Sequence, residues 1–205
     1  MSLPDVSLGK KLISYMKSKG WRVRAINIVY LEDASADTWE PSKGELDAWD
    51  DVRILIRDTG EIIMSAEATV EPGLYYTQNR LVDEGVFRID NGKQFKDAWV
   101  LGAHKNQYPC LIQAQAITGT RDGNEDGVRT GDEHVEGVFA INQHTTGNDA
   151  SAEPPSKIGR WSAGCLVGRY AITHYRLFMP TLIGSGMRTF DTAIIAGDDF
   201  RAYGK

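Results

Sequence analysis

The sequence predicts a single β-rich α+β domain spanning residues 1–205. Three observations carry this expectation. Apolar runs of strand length recur along the chain, one amphipathic helical pattern sits near each end, and no composition break or internal repeat divides the 205 residues. A chain of this length buries a core without disulfide or metal staples.

Val6, Leu8, Leu12, Ile13 and Met16 recur at helical spacing, so residues 1–20 are expected to hold an N-terminal helix that Gly20 stops. "AINIVYL" (25–31) reads as a strand, and the polar stretch "EDASADTWEPSKGELDAWDD" as a long loop. "VRILIR" and "EIIMSAEATV" flank Asp58-Thr59-Gly60 and predict a hairpin, which "EPG" at 71–73 ends. Further strands are expected at "VFRI" (86–89), "AWVLGAH" (98–104), "LIQAQAIT" (111–118) and "VEGVFAIN" (135–142). "YAITHYRLFMPTLIGS" predicts a helix that Pro180 bends or ends, and "TFDTAIIAG" a closing strand.

Composition excludes several classes. Hydrophobic residues at 41% and charged residues at 25% are ordinary globular values. A net charge of −5 with no long Lys/Arg run argues against a nucleic-acid partner. No apolar stretch reaches membrane-spanning length. The N-terminus lacks a secretory layout, which predicts a protein cytoplasmic as synthesised. Two cysteines, Cys110 and Cys165, are too few for a disulfide framework and read as free thiols.

The chemistry-bearing stretch is residues 143–165, with His144 twenty-one positions ahead of Cys165 and loop-forming residues between. A thiol attacks carbonyls as its thiolate, and a neighbouring imidazole can take the proton. Such an activated thiol is expected to alkylate faster than a free cysteine, with a depressed pKa. In "WSAGCLVG", Gly164 permits an unusual backbone conformation just before the sulfur, and amides around Gly164–Cys165 are candidates for holding an oxyanion. Ser162 is small and polar enough to line the same pocket, and Trp161, four residues from the thiol, is the tryptophan placed to stack on a substrate. The alternatives are a core cysteine beside a turn, or a metal site using Cys165, His144 and His174 or Cys110. His104 and His134 read as structural or solvent-exposed.

With "GVFAINQH" and "IGRWSAGCLVG" on the page, the chain resembles the L,D-transpeptidase (YkuD-like) catalytic domain. The likeness is closer to a divergent branch associated with phages and bacteria, whose landmark segments are similar to "AEATVEPGLYYT", "GVFRIDNGKQFKDAWVLGAH" and "RDGNEDGVRTGD". It covers most of residues 10–197. The resemblance implies Cys165 as acyl-accepting nucleophile, His144 as general base, and Ser162 and Gly164 at the small positions of the cysteine block. Ala163 stands where the family has a histidine, and Arg169 is the nearest match to its arginine after the cysteine; these two, with Trp161, are the substrate-binding expectation. The implied substrate is a peptidoglycan stem peptide, no cofactor is required, and the protein would meet the cell wall on release or delivery. Transfer of the acyl group to an amine would make a transpeptidase, and transfer to water a carboxypeptidase or endopeptidase.

A second motif lies at "DGNEDGVRTGDE". It fits the calcium-loop template at every position, with Asp122, Asn124, Asp126 and Glu133 supplying side-chain oxygens, Gly127 the turn and Val128 a carbonyl. The flanking runs read as strands rather than helices, so the opposed reading is a solvated hairpin loop. The competing functional class is therefore a non-enzymatic module that binds cell wall or calcium.

Overall fold

In a computed structural model describing residues 3–204, the chain is mostly β-structure built around a closed eight-strand barrel. Met1, Ser2 and Lys205, the ends of the predicted domain range, lie outside the described residues. The strands are β1 (Ile26–Leu31), β2 (Asp51–Arg57), β3 (Ile62–Thr69), β4 (Val86–Ile89), β5 (Lys93–His104), β6 (Tyr108–Gln113), β7 (Ile117–Asp122), β8 (Glu133–Gly137), β9 (Gln143–Thr145), β10 (Leu166–Gly168) and β11 (Phe190–Ile195). The ring runs β1-β11-β5-β6-β9-β10-β3-β2, and β4-β7-β8 form a separate three-stranded sheet. Two ring pairs are parallel, β1 with β11 and β9 with β10.

Helix α1 (Val6–Ser18) matches the sequence pattern, with the Asp5 carboxylate capping the Ser7 N–H at 2.7 Å. Its Leu12, Ile13 and Met16 pack on Val29, Leu31, Val52, Ile54 and Ile56, the outward side chains of β1 and β2. The inward set includes Ile28, Tyr30, Leu55 and Met64, which join Trp99, Leu111 and Leu166 in the barrel interior. Strands β1 and β2 are thus covered on both faces, which is why apolar residues such as Ile28–Leu31 and Ile54–Ile56 run consecutively, with Asn27 and Arg53 buried among them.

Two strand expectations are corrected. "LIQAQAIT" divides into β6 and β7, because Ala114 and Gln115 both donate their N–H to the Ala98 carbonyl and turn the chain. "VEGVFAIN" keeps only β8, and residues 138–142 are irregular before β9 begins. Side chains satisfy most of their backbone, and only the Asn142 carbonyl takes an N–H from a neighbouring strand, that of Leu166. The Gln113 amide oxygen accepts from Phe139 N at 3.0 Å and Ile141 N at 2.9 Å, and its nitrogen donates to Gly137 O at 2.9 Å. The Trp99 indole donates to Ile141 O at 2.8 Å.

After β10 the chain is helical from α3 (Ala171–Thr173) through a π-helical turn (His174–Phe178) into α4 (Met179–Gly184). Pro180 does not end this helix. It sits at the start of α4, where the π turn has already shifted the hydrogen-bond register and a missing N–H costs least. The short helices α2 (Leu74–Gln78) and α5 (Gly197–Ala202) complete the described elements.

Candidate active site

His144 lies on β9, in register with Val167 on the parallel strand β10. Cys165 immediately precedes β10, where Leu166 donates its N–H to Asn142 O at 2.9 Å. Cys165, Val167, Asn142 and His144 therefore share one face of the sheet, by the two-residue alternation of strands. A two-residue offset on adjacent strands places the Cys165 and His144 Cα atoms about 8 Å apart. The structure thus brings together the two residues that the sequence separates by twenty-one positions.

His144 is buried, and its Nδ1 lies 3.0 Å from the Thr145 carbonyl. A carbonyl only accepts, so Nδ1 carries the hydrogen and Nε2 keeps the lone pair. From the barrel interior the fully buried Arg53 donates Nη1 to the His144 carbonyl at 3.0 Å, with its guanidinium 4.1 Å from the Phe178 ring centroid. Gly168 lacks the Cβ that would collide with this guanidinium. Burial pushes the His144 imidazole down to about 3, with the neighbouring His104 and Arg53 acting in the same direction.

Cys165 is half-buried, and its Sγ lies 3.8 Å from the Ala140 carbonyl. Burial raises the thiol, against the Asn142 backbone N–H and the Lys105 charge, which favour the thiolate. The resting pair is therefore a neutral thiol beside a neutral imidazole, not the preformed ion pair expected from a depressed thiol. Ala140 holds a left-handed φ of 59°, a local strain directly facing the sulfur.

The loop before the sulfur is tightly specified. Gly164 has φ of 108°, and a Cβ there would meet the Phe87 carbonyl at 2.6 Å. Ser162 is buried; its Oγ accepts from Gly164 N at 3.1 Å and donates to Cys165 O at 2.8 Å. Both residues accordingly shape the backbone. The Gly164 N–H is taken by Ser162 and cannot serve an oxyanion, while the Cys165 N–H makes no hydrogen bond among the described residues. The loop is anchored by Gly73 N to Ser162 O at 2.9 Å, and by the Asp47 carboxylate, which accepts from Leu74 and Gly159.

The expected substrate-binding residues separate. Trp161 is 39% exposed beside the loop, free to stack on a ligand. Ala163 is half-buried in the turn. Arg169 is engaged elsewhere: it pairs with Glu67 at 2.6 Å and donates to the Pro155 carbonyl at 3.0 Å, closing the crossover loop. Trp39, Trp49 and Trp99 are core residues. Cys110 is a buried free thiol held up to about 12 by burial.

One site residue escaped the sequence reading. His104, at the end of β5, stacks on His144 with ring centroids 4.2 Å apart and planes at 21°. Its signal lies in "HKNQY", where Lys105 and Asn106 adopt left-handed φ values of 51° and 57° and fold a hairpin tip. His174, on the π turn, donates Nε2–H to the Pro109 carbonyl at 2.9 Å. A cavity of about 10 Å³ lies among the three imidazoles, scarcely room for one water.

No protein-family model, curated protein or solved structure matches this chain.

The four oxygen ligands expected at residues 122–133 do not converge. Asp122 is buried, facing Arg88 at 3.3 Å and capping the Gly127 N–H at 3.1 Å. Glu133 is exposed on β8, in register with Arg121, and so projects from the other face of the sheet. Among the described residues no three His, Cys, Asp or Glu side chains are grouped to hold a metal ion, and no helix is long and apolar enough to cross a membrane.

Arg88 and Arg129 instead belong to an acidic cavity of about 570 Å³ that includes Glu32, Asp50, Asp51 and Glu71. Arg129 pairs with Glu32 at 2.8 Å and with Glu71, while Arg88 bonds Glu71 at 2.5 Å. Burial raises Glu32 to about 7 despite Arg129. The folded protein thus holds a proton that an unfolded glutamate, near 4.3, has released. Stability is expected to fall as pH rises from about 4.5 through 7, by on the order of 1–3 kcal/mol from this group. Urea unfolding at pH 5 and pH 8 checks this, and Glu32→Gln should flatten the slope.

Proposed function

We propose that this protein is a cysteine-dependent acyl-transfer enzyme of the L,D-transpeptidase type, acting on peptide carbonyls of peptidoglycan stem peptides. The observation that carries the reading is the β9–β10 pair, with His144, whose Nε2 keeps its lone pair, and the Cys165 thiol on one face. The sequence resemblance supplies the substrate class.

The thiol proton passes to His144 Nε2 as Sγ bonds the scissile carbonyl carbon, and the Cys165 N–H is the available donor to the oxyanion. The C–N bond then breaks, and the leaving amine takes the proton from the imidazolium. An incoming amine or water attacks the thioester and loses its proton to His144. The thiolate leaves and recovers that proton, so the site returns to its starting state. The Thr145 carbonyl, by fixing the Nδ1–H tautomer, stabilises the imidazolium between these steps.

A non-catalytic wall-binding module is the second reading, favoured by the neutral resting states of both groups. Mass spectrometry of defined tetra- and pentapeptide muropeptides separates the two. Wild type is expected to give new products or an acyl adduct, while Cys165→Ala gives neither and His144→Ala is slower by at least ~10³-fold. Products from both wild type and Cys165→Ala, or from neither, would reject the enzymatic reading.

A further inference from the structure

The loop before the thiol, Trp161-Ser162-Ala163-Gly164, carries no imidazole towards His144. The fold supplies one from elsewhere. β5 and β6 form a hairpin whose tip, Lys105–Asn106, sets His104 opposite Tyr108, and β6 in turn pairs with β9 through Leu111 and Gln143. That route carries His104 over His144, ring on ring. The Asn142 amide nitrogen lies 3.4 Å from His104 Nδ1, an arrangement that leaves the hydrogen on His104 Nε2.

We infer that His104 is a positioning residue that governs whether His144 can hold the thiol's proton. The inference rests on the cysteine-dependent reading above. Its physical basis is state dependence. A neutral His104 ring presents its π face to His144 and accommodates an imidazolium there. A protonated His104 sets a like charge 4.2 Å from the same ring and opposes proton transfer from Sγ. The groups around His104 are Lys105 beside it, Tyr108 and Cys110 on β6, His144 on β9, and His174 and Tyr175 on the helical segment. Lys105 alone among them carries a fixed positive charge near neutral pH, so the remaining variable is the His104 proton itself.

The test follows Cys165 alkylation by iodoacetamide from pH 4.5 to 9 in the full chain, with the site of modification read by mass spectrometry. The fraction of thiolate–imidazolium tautomer does not change with pH, whereas the bare thiolate falls tenfold per pH unit, so the wild-type rate should fall from alkaline pH and then run level. Burial and the Lys105 charge hold His104 below an ordinary imidazole, so its protonation should lower that level rate by at least ~10-fold at the acid end of the range. His104→Phe, which keeps a flat ring on His144 but cannot titrate, should hold the level rate down to pH 5 within about twofold. His104→Ala should lower the level rate throughout, and His104→Phe restores it.

Superposable profiles for wild type and His104→Phe would overturn the inference. A His144→Ala profile identical to wild type would instead reject the Cys165–His144 pairing on which it rests. The level region should vanish in His144→Ala, whose rate should fall about tenfold per pH unit below the thiol's own pKa.

Discussion

Gly164→Ala is expected to destabilise the fold by about 2–5 kcal/mol, the sum of a strained backbone and a forced overlap. A side chain at φ of 108° is strained whatever the space around it. Here the space is also filled, since the new methyl would meet the Phe87 carbonyl at 2.6 Å and Ile141 at 3.3 Å. Phe87 belongs to the interior cluster and its carbonyl to β4, so neither can retreat without moving the three-stranded sheet. The alternative relaxation tips the Ser162–Cys165 loop and breaks its two serine hydrogen bonds. Urea unfolding measures the first loss. The alkylation rate of Cys165 measures the second, which should exceed any change caused by Ser162→Gly.

Trp99→Ala is expected to cost about 3–5 kcal/mol and to lower the melting temperature by roughly 6–20 °C. Trp99 is fully buried, edge-on to Phe95 with centroids 6.2 Å apart. Its indole is one of the two side chains that satisfy the irregular segment before β9. Truncation would both open a cavity and leave the Ile141 carbonyl unpaired, one residue from Asn142. Trp99→Phe isolates the second effect: it fills most of the space, yet should still cost about 1–3 kcal/mol. Thermal unfolding of both variants checks the ordering, and a Phe variant as stable as wild type would dismiss the role of the indole hydrogen bond.

Much of the strand content was legible because both faces of β1, β2 and β11 are covered, giving apolar runs that local reading detects. The hairpin at Asp58–Gly60 and helix α1 carried their own turn and cap chemistry. What escaped depends on distant partners. Nothing local in "LIQAQAIT" marks a turn, since the acceptor is the Ala98 carbonyl on another strand. Residues 138–142 have strand composition, but Gln113 claims their N–H groups. The candidate pair was legible as Cys165 and His144, and Gly164 as a backbone necessity. The use of Ser162 as a loop brace and of Arg169 as a clasp on Glu67 required the fold, as did the stacking of His104. In the acidic motif at 122–133, strand alternation, invisible to a template match, sends Asp122 and Glu133 to opposite faces.

The ring order also bears on when the barrel around His144 and Cys165 can close. β11 stands between β1 and β5, so a segment near residue 195 must be inserted beside one near residue 26 before the ring is whole. During synthesis from the N-terminus, the ribosome releases β11 after His144 and Cys165 have both emerged. Such distant pairings form slowly. The nascent chain would therefore carry both His144 and Cys165 while the barrel wall is still open, and the closed ring would arrive only with the last strand.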